Sequence, residues 1–318
     1  HALLGDRVQF ADLALVVVDE QHRFGVDQRE ALRLKGASPH VLVLTATPIP
    51  RTVAMTVFGD LDVSTIRELP SGRAPIESFV VPLAEHPRWE ARIWQRLSEE
   101  LAQGRQGFIV VPAIDAKEGE EGADLEAPAG GEERRVATVS GVLELARRHP
   151  ELAGRRIEPL HGRMSADQKD ATMRAFAAGE IDVLVATTVV EVGVDVPNAS
   201  TMVVLDADRF GVAQLHQLRG RVGRGGVPGL ALFVTEAEAG SPARGRVDAV
   251  ASTLDGFELA QVDLELRREG DVLGSAQSGG RSSLKLLRVA RDGELIADAR
   301  TAAEAVLDAD PDLTEHPA

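Results

Sequence analysis

Ser165 to Thr188 reads SADQKDATMRAFAAGEIDVLVATT, a helix followed by a strand. Ser165 stands three residues before Gln168, the capping-box spacing that starts a helix, and Gly179 marks its end. Ile181 to Val185 (IDVLV) then reads as a strand buried on both faces, with Thr187 and Thr188 just beyond it. The alternation continues outward in both directions. Apolar runs at Leu13 to Val18, Val41 to Leu44, Phe108 to Val111, Met202 to Leu205 and Leu230 to Val234 read as further strands, with helical patterns at Asp27 to Lys35 and Pro87 to Ala102. Alternating strands and helices of this kind predict an α/β class with a mostly parallel sheet.

At 318 residues and 44% hydrophobic composition, the chain can bury a large core and divides into about two domains. No apolar run approaches the roughly 20 residues of a membrane span, and HALLGDRVQF lacks the features of a signal peptide. Zero cysteines exclude disulfides and thiolate metal sites and fit a cytoplasmic protein. The start at His1 rather than Met leads us to expect a fragment of something longer. A net charge of −15 argues against a basic sleeve for nucleic acid. However, acid concentrates at Asp115 to Glu133 and after Asp292, while Arg219, Arg221, Arg224, Arg244, Arg246, Arg267 and Arg268 gather late, so one face can still track phosphates.

Glu68 to Pro75 (ELPSGRAP) is a Pro- and Gly-rich break, which places one domain at residues 1–70 and a second at 76–238. Residues 115–135 form an acidic, Gly-rich insertion expected to be a disordered surface loop. After about Thr235 the strand pattern stops, and residues 239–318 read as a helical appendage, with helical stretches near Arg244 to Leu254 and Glu294 to Leu307.

Four strand ends carry chemistry. Asp19 and Glu20 follow LALVVV at the carboxyl end of a strand, where open α/β sheets bind ligands. There Asp19 can hold Mg²⁺ through its water shell, Glu20 can polarise the water that attacks a γ-phosphate, and His22 can transmit the state of that site; acidic turn residues capping a strand are the plainer reading. Thr45 and Thr47, in TATPIP, can join those carboxylates to a neighbouring domain, or simply end a strand before a proline turn. Thr187 and Thr188 can hold nucleic-acid phosphates, and Gly193 and Asp195 form a turn able to reach a nucleotide sugar. His161 and Arg163, in EPLHGRM, can touch backbone phosphate, although a lone His is as often structural.

Gln214 to Gly225, QLHQLRGRVGRG, adds two arginines set among glycines. In a helix, Gln217, Gly220, Arg221 and Arg224 share one face, and the glycines suggest close approach of a nucleotide triphosphate. Rigid guanidinium groups suit the charge that develops on a transferring phosphoryl group. A basic surface turn with ordinary salt bridges fits the pattern equally well. No G-x-x-x-x-G-K-[ST] occurs in the 318 residues, so a phosphate-cradling loop is not among them.

Taken together, DEQH, TATP, TTVVEVGVD and QLHQLRGRVGR resemble motifs II, III, V and VI of the superfamily 2 helicases. DEQHRFGV, TATPIPRT, HGRM, EVGVDVPNAS and FGVAQLHQLRGRVGRG resemble, more closely, the RecG family of ATP-dependent DNA helicases, from about Leu13 to Gly279. The resemblance implies RecA-like parallel sheets flanked by helices, with a partial first domain, a complete second one and a helical C-terminal appendage. It also implies a carboxy-terminal fragment whose motif I and wedge domain lie upstream.

Further implications concern the site. ATP and Mg²⁺ would be the cofactors, Asp19 and Glu20 the Mg²⁺ and water residues, and Arg221 and Arg224 the arginine fingers. Past motif VI, RGRVDAVASTLDGFELAQVDLELRREGDVLGSAQSG matches a translocation element, carrying over Arg246, Arg267 and Gln277 as DNA contacts. The family's usual R-G-P-G is replaced here by Arg267-Arg268-Glu269-Gly270. Branched double-stranded DNA would be the partner of a monomeric, cytoplasmic motor acting in recombination and repair, with single-stranded DNA-binding protein as a second candidate partner. Transcription-repair coupling factors share motif VI but carry DEEQRFG where this chain has DEQHRFG. Without motif I, the 318 residues are expected to bind DNA or a partner without hydrolysing ATP.

Overall fold

A computed structural model describes residues 3, 5, 8–19, 31–45, 64, 66, 74–114, 136–191, 196–266 and 293–311. The chain forms two compact units, His1–Val63 with Arg267–Ala318, and Ser64–Leu266. In the first, strands β1 (Leu15–Asp19) and β2 (His40–Leu44) pair in parallel with Asp19 opposite Leu44. Lys35 fastens the incoming segment, its Nζ donating to the carbonyls of Gly5 and Val8 at 2.7 and 2.8 Å.

The second unit holds a six-stranded parallel sheet: β3 (Ile76–Pro82), β4 (Gln106–Val110), β5 (Ile157–Leu160), β6 (Val183–Ala186), β7 (Ala199–Val204) and β8 (Gly229–Thr235). Their spatial order is β3-β8-β7-β4-β6-β5. Successive residues of each strand face opposite sides: Phe108 and Val110 enter one core with Leu184, Met202 and Phe233, whereas Ile109 and Val111 enter the other with Val183, Val203 and Leu232. Because both faces are covered, the central strands read as unbroken apolar runs.

Helices α1 (Trp89–Ala102) and α2 (Val139–Arg148) cover one face through Trp94, Leu97, Val142 and Ala146. The other face receives α3 (Ala166–Ala177), α4 (Val212–Arg219), α5 (Pro242–Ser252) and α6 (Gly256–Leu266). Phe176, Leu215, Val247, Val250 and Leu259 belong to that core, so residues 239–266, grouped by sequence with the appendage, pack within the second unit. The last described helix, α7 (Gly293–Ala309), lies in the first. The Ser165 cap is as expected: its hydroxyl accepts from Gln168 N at 3.2 Å, and Gln168 Oε1 accepts from Ser165 N at 2.9 Å. The insertion 115–135 lies outside the described residues.

Candidate functional site

All six strands run the same way, so the sheet has a carboxyl edge and an amino edge, and the candidate residues of the second unit divide between them. Leu160 pairs with Ala186, which sets His161 beside Thr187 at the carboxyl edge. The Lys169 Nζ, on α3, donates to the Gly162 carbonyl at 2.8 Å and pins the turn that carries the exposed Arg163. Thr187 is nearly buried and donates its N–H to the Leu160 carbonyl at 3.3 Å, while Thr188 opens a single 3₁₀ turn, Thr188–Glu191. His161 Nδ1 is buried without a hydrogen-bond partner, and a cleft of about 460 Å³ between α2 and β5 reaches this side chain. Strands β5 and β6 thus bring His161, Arg163, Thr187 and Thr188 together.

Arg221 and Arg224 sit at the opposite edge. Helix α4 ends at Arg219, and the chain turns through Gly223 at φ 69° before entering β8 at Gly229. Gly223 lies against Ile76, the first residue of β3, and Gly225 against the Pro197 carbonyl just before β7, so the turn is at the amino edge. Since β8 has seven residues at about 3.3 Å each, the two groups are separated by roughly the 20 Å length of a strand.

This geometry corrects two readings of the arginine stretch. First, Gln217 is helical but Arg221 and Arg224 are not; they belong to a turn, with Arg221 N–H donating to the Leu218 carbonyl at 2.9 Å and Arg224 Nε donating to the Gly220 carbonyl at 2.9 Å. Gly223, in the left-handed region at φ 69°, allows the turn, while Leu215, Leu218 and Val222 remain in the core. Second, the space at Gly223 and Gly225 is taken by protein. A Cβ on Gly223 would lie 2.9 Å from Ile76 Cγ1, and one on Gly225 only 2.4 Å from the Pro197 carbonyl oxygen. These two glycines therefore let the turn close onto the sheet and are not evidence of a nucleotide against their backbone.

The late arginines also do not form a single phosphate-tracking face. Arg219 is 1% exposed, bonded to the carbonyls of Val250 and Thr253 and to His216 Nδ1. Arg244 is bound to Asp248 and Glu85, both at 2.8 Å, and the hydrogen bond it donates to Asp248 above all holds its guanidinium more firmly protonated than usual. Arg246 is half-buried at the carboxyl edge, its Nη2 donating to the Asp208 carbonyl at 3.2 Å.

In the first unit, the exposed Asp19 ends β1, and Thr45 follows the residue opposite it on β2. Among the described residues no cluster of three His, Cys, Asp or Glu could enclose a metal; a strand-end carboxylate holding Mg²⁺ largely through water remains compatible with Asp19. Glu20, His22, Thr47, Gly193, Asp195, Arg267 and Gln277 lie outside the described residues.

Sequence reading passed over Asp206 to Phe210 (DADRF), directly after β7. Asp206 takes a left-handed conformation, φ 50°, and its Oδ2 accepts from Ala137 N–H at 2.7 Å. Asp208 is buried, with Oδ1 accepting from the Thr235 hydroxyl at 2.5 Å, and Arg209 is buried beside it. The available signal was three charges in four residues at the carboxyl end of a buried strand.

Residues 133–226 match the helicase conserved C-terminal domain, and residues 253–317 match the ATP-dependent DNA helicase RecG, domain 3, C-terminal. An ATP-dependent DNA helicase RecG of Mycobacterium leprae is 55% identical over 303 residues, covering 94% of this chain and 40% of that protein. One from Synechocystis is 45% identical over 317 residues, covering 100% of this chain and 36% of that protein. A structure of RecG bound to a three-way DNA junction superposes with a TM-score of 0.65 at 36% identity, over 93% of this chain and 35% of that one. A variant of S. cerevisiae Dbp5 bound to RNA and ADP BeF3, at 16% identity and a TM-score of 0.50, covering 84% of this chain and 65% of that one, shares the fold alone. The chain spans about 40% of the length of the first of these relatives, and it belongs to the RecG family of ATP-dependent DNA helicases.

Proposed function

We propose that this chain is the motor portion of an ATP-dependent helicase that remodels branched DNA in recombination and repair. The separation of two chemistries across one sheet supports this reading most directly: guanidinium groups suited to a polyphosphate at the amino edge, and hydroxyl, imidazole and guanidinium groups suited to a DNA backbone at the carboxyl edge. Arg221 and Arg224 stabilise charge on the γ-phosphate, with Gln217, Gly193 and Asp195 contacting nucleotide. Asp19 holds Mg²⁺ through water, Glu20 orients the attacking water, and His22, Thr45 and Thr47 relay the nucleotide state. ATP with Mg²⁺ supplies the phosphoryl group whose transfer to water drives the motion. His161, Arg163, Thr187, Thr188, Arg246, Arg267 and Gln277 hold DNA.

Branched DNA is the partner named for the RecG relative with a solved complex, and we carry it to this chain. A monomer working in the cytoplasm, with single-stranded DNA-binding protein as a further partner, completes the reading. No described helix is long and apolar enough to cross a membrane.

These 318 residues contain no phosphate-loop motif, so the isolated chain should bind a three-way junction without turning over ATP. Phosphate release with and without the junction tests both halves. Salt-dependent binding without turnover is the expected result. Junction-stimulated turnover that is lost in Glu20→Gln would overturn the non-hydrolysing half, and absence of salt-dependent binding would overturn the DNA half.

A further inference from the structure

Arg209 is 6% exposed, its Nε is sealed from solvent, and its guanidinium makes no hydrogen bond or ion pair among the described residues. A buried cation without a counter-charge is strongly unfavourable, and buried polar groups are otherwise paired in all but a few cases. Among the described residues no hydrogen bond or ion pair joins it to the carboxylates beside it. Asp206 accepts from Ala137, and Asp208 accepts from Thr235. Arg246, another guanidinium, rests on the carbonyl of Asp208, one residue from Arg209. Helix α4 begins at Val212, three residues on; its N-cap is Gly211, which has no side chain to cap the first turn, so the positive end of the helix faces the same turn.

We infer that Arg209 is a phosphate-binding residue for the DNA backbone, which no sequence motif assigns. Its turn follows β7 at the carboxyl edge, the edge that also carries His161 and Thr187. In the order β7-β4-β6-β5, Arg209 and His161 are three strand spacings apart, about 14 Å. A planar guanidinium suits a phosphodiester, which offers two oxygens to its fork. Asp206 and Asp208 share the turn, yet neither pairs with Arg209, so this guanidinium beside a helix N-terminus is left to an anion brought by a ligand.

The inference rests on the DNA-binding reading above, and the test separates the two. Binding of a three-way junction by this chain is measured across a salt series for the unsubstituted protein, Arg209→Gln and Arg209→Lys, with melting temperatures alongside. Loss of one phosphate contact should lower the log–log salt slope of Arg209→Gln by about 0.9 and weaken binding roughly tenfold near 0.1 M salt. Its melting temperature should be unchanged or higher, since an unpaired buried charge has been removed, and Arg209→Lys should retain most of the slope. In the unsubstituted chain, the Arg209 Nε–H resonance should shift on addition of the junction, a readout that does not depend on any variant folding. An unchanged slope together with an unmoved resonance overturns the assignment while leaving the DNA reading standing. A lowered melting temperature with an unchanged slope also overturns it, in favour of a protein carboxylate as the partner. No salt-dependent binding by the unsubstituted chain overturns both.

Discussion

Arg219, the last residue of α4, donates from Nη1 to the carbonyl of Thr253, just past the end of α5, at 2.7 Å. The same nitrogen reaches the Val250 carbonyl, so one buried guanidinium closes the carboxyl end of α5 and fastens it to the helix that leads into Arg221 and Arg224. In the first half of α5, Arg246 holds the carbonyl of Asp208 at the carboxyl edge. Helix α5 is therefore tied by one arginine to the turn after β7 and by another to the helix that leads into the arginine turn.

Arg219→Ala should destabilise the second unit by about 3 kcal/mol, because it leaves two helix-end carbonyls without a donor in a dry interior. Arg219→Lys should recover only part of this, since an ammonium lacks the fork that reaches both carbonyls and His216. Urea unfolding checks both, with a lower midpoint expected at an unchanged slope. An unaltered midpoint in Arg219→Ala would show that the two helices hold together without the pin.

The glycines of the arginine turn should differ sharply in their tolerance of a methyl group. Gly223→Ala combines φ 69° with a contact at 2.9 Å, and Gly225→Ala meets a carbonyl oxygen at 2.4 Å, whereas a Cβ at Gly226 meets nothing within 4 Å. We expect losses of about 1–3 kcal/mol for the first two and near none for the third. Thermal melting of the three variants side by side decides whether backbone closure explains the glycines.

Glu100 is a buried carboxylate that accepts from Arg105 at 2.5 Å, Arg96 at 2.9 Å and the Ser200 hydroxyl at 3.0 Å. Glu100→Gln should lower stability by about 1.5–3 kcal/mol, since charge-assisted bonds to two arginines become neutral ones. A chemical denaturation midpoint indistinguishable from the unsubstituted chain would contradict this.

Glu99 gives a pH dependence. Hydrogen bonds from Arg92 and then Arg96 hold its carboxyl below the usual carboxylate range. Its protonation is therefore disfavoured in the folded chain, so its contribution is present above the ordinary value of 4.5 and is lost as pH falls through the depressed folded value. Glu99→Gln should flatten the decline of melting temperature as pH falls from 4.5 towards the depressed folded value and leave the slope near neutral pH unchanged. The pair is fully exposed, so the difference should be small and should shrink further in high salt.

Apolar runs disclosed the four central strands of the six-stranded sheet and passed over its two edges. In IESFVVP of β3, Glu77 and Ser78 interrupt the apolar pattern where the strand is incompletely covered, and in IEPL of β5 Glu158 does the same, while Pro159, which has no N–H to donate, is tolerated because one side of β5 has no partner strand. On β5 the free side is blunted by Arg147, whose Nη2 donates to the Ile157 carbonyl at 2.8 Å. Short-range signals were equally legible where the physics is local, as in the Ser165 cap of α3.

The candidate site was legible in residue type and much less so in arrangement. His161 and Thr187 stand 26 positions apart in the chain, and the register of β5 on β6 makes them neighbours. Arg219, Arg221 and Arg224 look alike in sequence, yet one is sealed among helix-end carbonyls and the others lie in a turn. By itself the sequence determined the α/β class, the central strands and the family, because hydrophobic period, caps and motif spacing act within a few residues. Only the tertiary structure decided which glycines the sheet requires, which arginines are spent on packing, that Arg209 has no partner among the described residues, and that Arg221 and Arg224 occupy the edge opposite His161 and Thr187. Those outcomes depend on strand direction, on register, and on which neighbours desolvate each charge, and all three are set by contacts between residues distant in the chain.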